Sequence, residues 1–269
     1  MHLIFDFDGT ITKKDTIGTL AQAGIDAQRA RNGSNLQQTW DKVVEAYMAD
    51  YNAYKANYSP VEERRTSLSE EITYLSGLKS AEEASLDRVS RSGIFAGLQE
   101  GDFELFGRDA IRNGAVELRS GFSEILQLAQ QKGWPVSVLS VNWSHSFISG
   151  VLGQLQQHIK VVANRIDESG TIHGPQKLGG NRLTCSTDKL RALKEISSEG
   201  CVYFGDSTTD LECLVHHNGV VIASGEETSL MKTLQRINVP PIHASKREKE
   251  NLVWAATFDE VIGCGILGE

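Results

Sequence analysis

Four aspartates stand where chemistry is possible: Asp6 and Asp8 near the start of the chain, Asp206 and Asp210 far downstream. Asp6 and Asp8 are two residues apart, a spacing that turns both carboxylates to one side of an extended chain. They follow the apolar run Leu3-Ile4-Phe5 and precede Gly9. The run is too short for a helix before that glycine and reads as a buried strand ending at Asp6. At the carboxyl end of such a strand both acids can face a crevice, where open α/β sheets bind ligands. Two carboxylates ~4 Å apart repel by about 4 kcal/mol at an effective dielectric of about 20. A hard divalent cation with oxygen ligands would relieve that repulsion.

Other polar residues end apolar strands in the same way. Ser140 lies within Pro135–Val141, and Asp206 follows Val202-Tyr203-Phe204. Lys189 opens a helix 17 residues before Asp206. In a parallel sheet these strand ends converge on one crevice. Each residue also has an ordinary reading: a strand-end aspartate often caps a helix or makes a turn, Ser140 could be a core serine, and Asp210 and Lys189 could be solvated.

The stretch Asp6-Phe7-Asp8-Gly9-Thr10-Ile11-Thr12, with Ser140, Lys189 and Gly205–Asp210 in order behind it, resembles the four motifs of the haloacid dehalogenase superfamily. The resemblance implies that Asp6 attacks phosphorus to form an aspartyl-phosphate. It makes Asp8 the general acid and base. The dehalogenases of that superfamily lack an acid at the second position, so Asp8 points to phosphoryl transfer. The resemblance further implies phosphate contacts from Thr10, Ser140, Asn142 and Lys189, with Lys177 as a rival to Lys189. It implies Mg2+ held by Asp6, the Asp8 carbonyl and Asp206, with Asp210 orienting that shell.

The elements needed to bring these residues together can be read from pattern. From residue 15 to about residue 114 the chain reads as helix after helix, with Leu36, Trp40, Val43, Val44, Tyr47 and Tyr51 at helical spacing. Ser59-Pro60-Val61-Glu62 and Ser80-Ala81-Glu82-Glu83 read as capping boxes. From about Ser120 onward strands and helices alternate, which implies a doubly wound, mostly parallel sheet. A last short strand is expected over Val239–Ile242, and the mixed-sign run Lys246–Glu250 reads as solvated surface. The expected organisation is a core of residues 1–14 and 115–269 and a helical insertion of residues 15–114. Together with the motifs, this organisation resembles an α/β, doubly wound Rossmann-like haloacid dehalogenase (HAD) sheet carrying an all-helical C1 cap, as in the phosphoserine phosphatase-like branch.

Such caps close over small phosphorylated metabolites. Trp40, Tyr47, Tyr51, Tyr54 and Tyr58 form a stripe on one helix face, read first as packing within the insertion. The alternative is a stacking wall for an aromatic or cationic ring, with Trp143 as a second part. Val202–Leu214 and Leu139–Ser144 resemble the phosphatase domain of plant thiamin monophosphate phosphatases, which makes thiamin monophosphate one candidate substrate. Phosphoserine-like, sugar-like and enol phosphates are alternatives, as is a non-catalytic protein that binds a phosphometabolite or partner.

Composition narrows the class. Of 269 residues 40% are hydrophobic and 23% charged, as in ordinary globular proteins. The net charge of −8 disfavours nucleic acid as a partner. There is no apolar run of about 18 residues, so no membrane span is expected. The first motif begins too early for a removable leader, so the cytosol is expected. Cys185, Cys201, Cys213 and Cys264 have no metal-site spacing and read as reduced thiols.

Overall fold

β1 (His2–Phe5) is the strand around which the rest is laid. Leu3, Ile4 and Phe5 are fully buried because both faces of the strand are covered. Their side chains alternate. Phe5 packs with Phe122, Phe204 and Phe258 on one face, its ring stacked 4.3 Å from that of Phe204. Ile4 sits on the other face with Leu139, Leu193 and Tyr203. Full burial of such a side chain contributes about 1.5–3 kcal/mol.

The computed structural model describes residues 1–197 and 200–268. After β1 come α1 (Ile17–Asn32), α2 (Gln37–Asn57), α3 (Leu68–Gly77), α4 (Lys79–Arg91), α5 (Glu100–Arg112) and α6 (Phe122–Lys132). Then β2 (Val136–Leu139), α7 (His145–Leu152), β3 (Ile159–Val162) and a small antiparallel hairpin, β4 (Arg165–Ile166) with β5 (Ile172–His173), lead to α8 (Ser186–Ile196). The chain closes with β6 (Cys201–Gly205), α9 (Leu211–His216), β7 (Asn218–Ile222), α10 (Ser229–Arg236), β8 (Ile242–His243), β9 (Leu252–Ala255) and α11 (Phe258–Ile262). Seven strands form one parallel sheet in the order β3-β2-β1-β6-β7-β9-β8. This is the doubly wound sheet that the alternation predicts. β1 is flanked by β2 and β6, so the strand order reverses on either side of it and a crevice opens at its carboxyl end.

Several local expectations are corrected. Ser59–Glu62 is not a capping box: a short 3-10 turn runs over Glu62–Arg64, and the cap of α3 is Ser67 with Glu70. The break lets Arg65 turn inward to Glu71, 2.8 Å away, and over the Tyr74 ring. Ser80 lies inside α4, and Glu83 pairs with Arg182 instead of capping. Of the strand expected over Val239–Ile242 only Ile242 lies in a strand, as the first residue of β8, and the strand that joins β7 is β9, which was not expected.

Between β1 and α6 the described chain is helical. α5 lies directly on α7: a Cβ on Gly107 would fall 2.3 Å from the Phe147 carbonyl oxygen, and one on Gly150 would fall 2.1 Å from that of Glu104. Only glycine permits so close an approach of two backbones. α4 is held to the core by ion pairs, Lys79 with Asp188 at 2.6 Å and Arg182 with Glu83 and Asp87. No described helix is long and apolar enough to cross a membrane. All four cysteines are free.

Candidate active site

Asp6 leaves β1 into the crevice, and its backbone N–H is held by the Phe204 carbonyl of β6. Its carboxylate meets Lys189 Nζ at 2.6 Å. Lys189 reaches it from the first turn of α8, fully buried, and also donates to Asp210 at 2.7 Å. Lys177 is exposed in a separate turn, so the lysine of this cluster is Lys189.

Asp210 is saturated. Beyond Lys189 it accepts from the Tyr203 hydroxyl at 2.6 Å and from the backbone N–H groups of Asp206 and Ser207. It therefore fixes the loop that carries Asp206. Thr10 donates to Asp206 at 3.0 Å, so its hydroxyl orients that carboxylate and does not stand free for a ligand. Gly9, at φ +77°, leaves the space this packing needs: a Cβ there would lie 2.2 Å from Asp206 Oδ2.

Ligand oxygens of Asp6, Asp206 and Asp210 all lie within 4.8 Å of one another. Burial and Asp210 push Asp6 well up from the ordinary carboxylate range, against the pull of Lys189. Burial and Asp210 likewise raise Asp206 to about 7. One lysine cannot neutralise three carboxylates. The excess charge and the all-oxygen donor set fit a hard divalent cation.

Asp8 is directed by three bonds. Its carboxylate accepts from the Thr16 N–H at 2.8 Å, the Thr16 hydroxyl at 2.5 Å and Asn142 Nδ2 at 2.8 Å. Burial, then repulsion from Asp15, lifts it to about 6. At neutral pH such an acid is close enough to its pKa to give and take a proton. Asn142 thus orients Asp8, a role the sequence reading did not assign to it. Ser140 is fully buried, its hydroxyl accepting from the Asn142 N–H at 3.0 Å.

A cavity of about 440 Å³ opens over Asp6, Asp8 and Asp206. Its far side is built from α2 and α4. Trp40, Tyr47 and Trp143 line it, the two tryptophan rings 6.0 Å apart and edge to face. Tyr51 does not line this cavity; it faces a neighbouring one. Tyr54 and Tyr58 leave the wall altogether and pack on Tyr74. The stripe therefore divides, because α3 covers its carboxyl-terminal half. Sequence reasoning missed Glu82 and Asp15, both lining the cavity. Glu82 lies on α4, and a charged residue on an amphipathic helix gives no signal of which way it faces until the partner helix is placed; Asp15 lies in the loop before α1.

The family of haloacid dehalogenase-like hydrolases matches this chain over residues 3–215. A CTO1 family protein of Schizosaccharomyces pombe is 32% identical over 235 residues, 80% of this chain and 78% of that one. Cold tolerance protein 1 of Saccharomyces cerevisiae is 27% identical over 289 residues, 93% of this chain and 88% of that one. Among solved structures, a phosphoserine phosphohydrolase-like protein from Francisella tularensis superposes with a TM-score of 0.53 at 15% identity, covering 97% of each chain.

Proposed function

The chain belongs to the haloacid dehalogenase-like hydrolase family, and we propose that it is a magnesium-dependent phosphatase acting on a small phosphorylated metabolite through an aspartyl-phosphate on Asp6. The observation that carries this reading is the buried contact of Asp6 with Lys189 at 2.6 Å, at the floor of a cavity that also holds Asp8. Lys189 takes one Asp6 oxygen, and the other is left for phosphorus. Attack forms the Asp6–phosphorus bond as the bond to the leaving oxygen breaks. Asp8, held by Thr16 and Asn142, gives its proton to that leaving oxygen. Water then attacks phosphorus while Asp8 takes its proton back, releasing inorganic phosphate and freeing Asp6.

Asp6, Asp206 and the Asp8 carbonyl are the groups that would hold Mg2+. When bound, it supplies positive charge where negative charge develops on phosphorus. A cavity of about 440 Å³ suits a single small metabolite. Thiamin monophosphate is one candidate, supported by the motif likeness alone.

The test is p-nitrophenyl phosphate hydrolysis with magnesium and with chelator, for wild type and Asp6→Asn. Turnover that needs magnesium and falls more than about a thousandfold in the variant is expected. Full activity in Asp6→Asn would end the proposal.

A further inference from the structure

The side of the cavity that receives the leaving group has a definite electrical character. Among the described residues, none of its lining side chains is Lys, Arg or His. Its charged lining is entirely acidic, with Glu82 and Asp15 added to Asp6, Asp8 and Asp206, beside neutral polar groups such as Ser85 and Thr184. Its apolar lining is aromatic and branched: Trp40, Tyr47 and Trp143 with Val43 and Leu86.

Glu82 is the distinctive residue. Its neighbours on α4 are neutralised, Lys79 by Asp188 and Glu83 by Arg182. Glu82 has no cationic partner among the described residues. One of its oxygens accepts from the Tyr47 hydroxyl at 2.8 Å. That bond fixes the carboxylate at the cavity wall with its other oxygen uncommitted. Burial raises the pKa of the half-buried Glu82, which marks an acid that gains from a positive neighbour. Tryptophan faces nearby attract the same kind of ligand.

Building on the phosphatase reading, we infer that this cavity selects phosphate monoesters whose leaving alcohol carries a positive charge on a compact, partly apolar body, with Glu82 as the specificity-determining residue. A leaving group whose ammonium is offset by its own carboxylate, as in phosphoserine, or that carries a second phosphate would bring negative charge against unpaired acids, with no cation in the lining to receive it. A substrate ammonium or aromatic cation would instead pair with Glu82 and lie against Trp40 and Trp143.

The test compares phosphocholine with 3,3-dimethylbutyl phosphate, which has the same shape without the charge, and with phosphoserine. With magnesium, kcat/KM for phosphocholine is expected to exceed that for the neutral isostere at least tenfold, with phosphoserine below both. Glu82→Gln, which keeps an acceptor for Tyr47, should cut that ratio at least fivefold. Binding to the Asp6→Asn protein, read by thermal shift, should show the same order without turnover. p-Nitrophenyl phosphate is assayed alongside: no magnesium-dependent hydrolysis by wild type of it or of any of the three esters defeats the phosphatase reading itself. Equal or inverted ratios, a ratio unmoved in Glu82→Gln, or no binding of phosphocholine to Asp6→Asn overturns the selectivity.

Discussion

Replacing Lys189 by Met isolates what the buried cation does for the fold. The methionine keeps the apolar stem and removes only the charge. Lys189 Nζ is fully buried, 2.6 Å from Asp6 and 2.7 Å from Asp210. Without it both carboxylates, each buried, lose their nearest positive neighbour. Removing one partner of such a buried pair costs about 3–5 kcal/mol, which in a chain of this length lowers Tm by roughly 5–9 °C. The loss should depend on pH in one direction. Asp6 already titrates well above its unfolded value, and losing Lys189 raises it further. Stability is then lost as pH rises through the folded pKa and recovered as pH falls below it. Urea denaturation followed by circular dichroism, in chelator, at pH 5.5 and pH 7.5 reads both effects. A loss under about 1 kcal/mol at pH 7.5, or one that does not shrink at pH 5.5, refutes the argument that Lys189 neutralises this cluster.

The metal-free protein should gain stability as pH falls from 8 to 6, because Asp206 titrates at about 7 when folded and far lower when unfolded. Magnesium should raise Tm more at pH 8 than at pH 6, and Asp206→Asn should flatten both trends in a thermal-shift series. Gly107→Ala should destabilise by about 1–3 kcal/mol, since its Cβ meets backbone at 2.3 Å, whereas Gly101→Ala on the same helix meets nothing and should gain up to about 1 kcal/mol. Equal Tm values for the two alanine variants would contradict the close packing of α5 on α7.

The core of the site could be read from sequence because buried parallel strands announce themselves as apolar runs, and the polar residue just past each run must lie at the sheet's carboxyl edge. Asp6 after Phe5 and Asp206 after Gly205 are such cases. Lys189 could be placed because its helix feeds the next strand. β9 escaped because its apolar core, Leu252–Ala255, is only four residues long and comes after the charged run at 246–250. The two capping boxes misled because a motif of four residues cannot say whether a helix starts there or is already under way. At Ser80 it was under way; at Ser59 the inward turn of Arg65 outweighed it. Glu82 was beyond reach for a different reason. Its direction is set by helix-to-helix placement and by the Tyr47 hydroxyl, neither of which leaves a periodic trace.

The meeting of Gly107 and Gly150 has a mechanical consequence. Two helices in backbone contact cannot slide or separate without losing packing along their length. α5 therefore moves with the sheet, although it lies before β2 in the helical insertion. The ties of α4 are different in kind: Lys79 reaches the buried Asp188, and Arg182 bonds the partly exposed Glu83 and Asp87, the kind of pair that dissolved ions weaken. The insertion thus has a soldered end and a latched end.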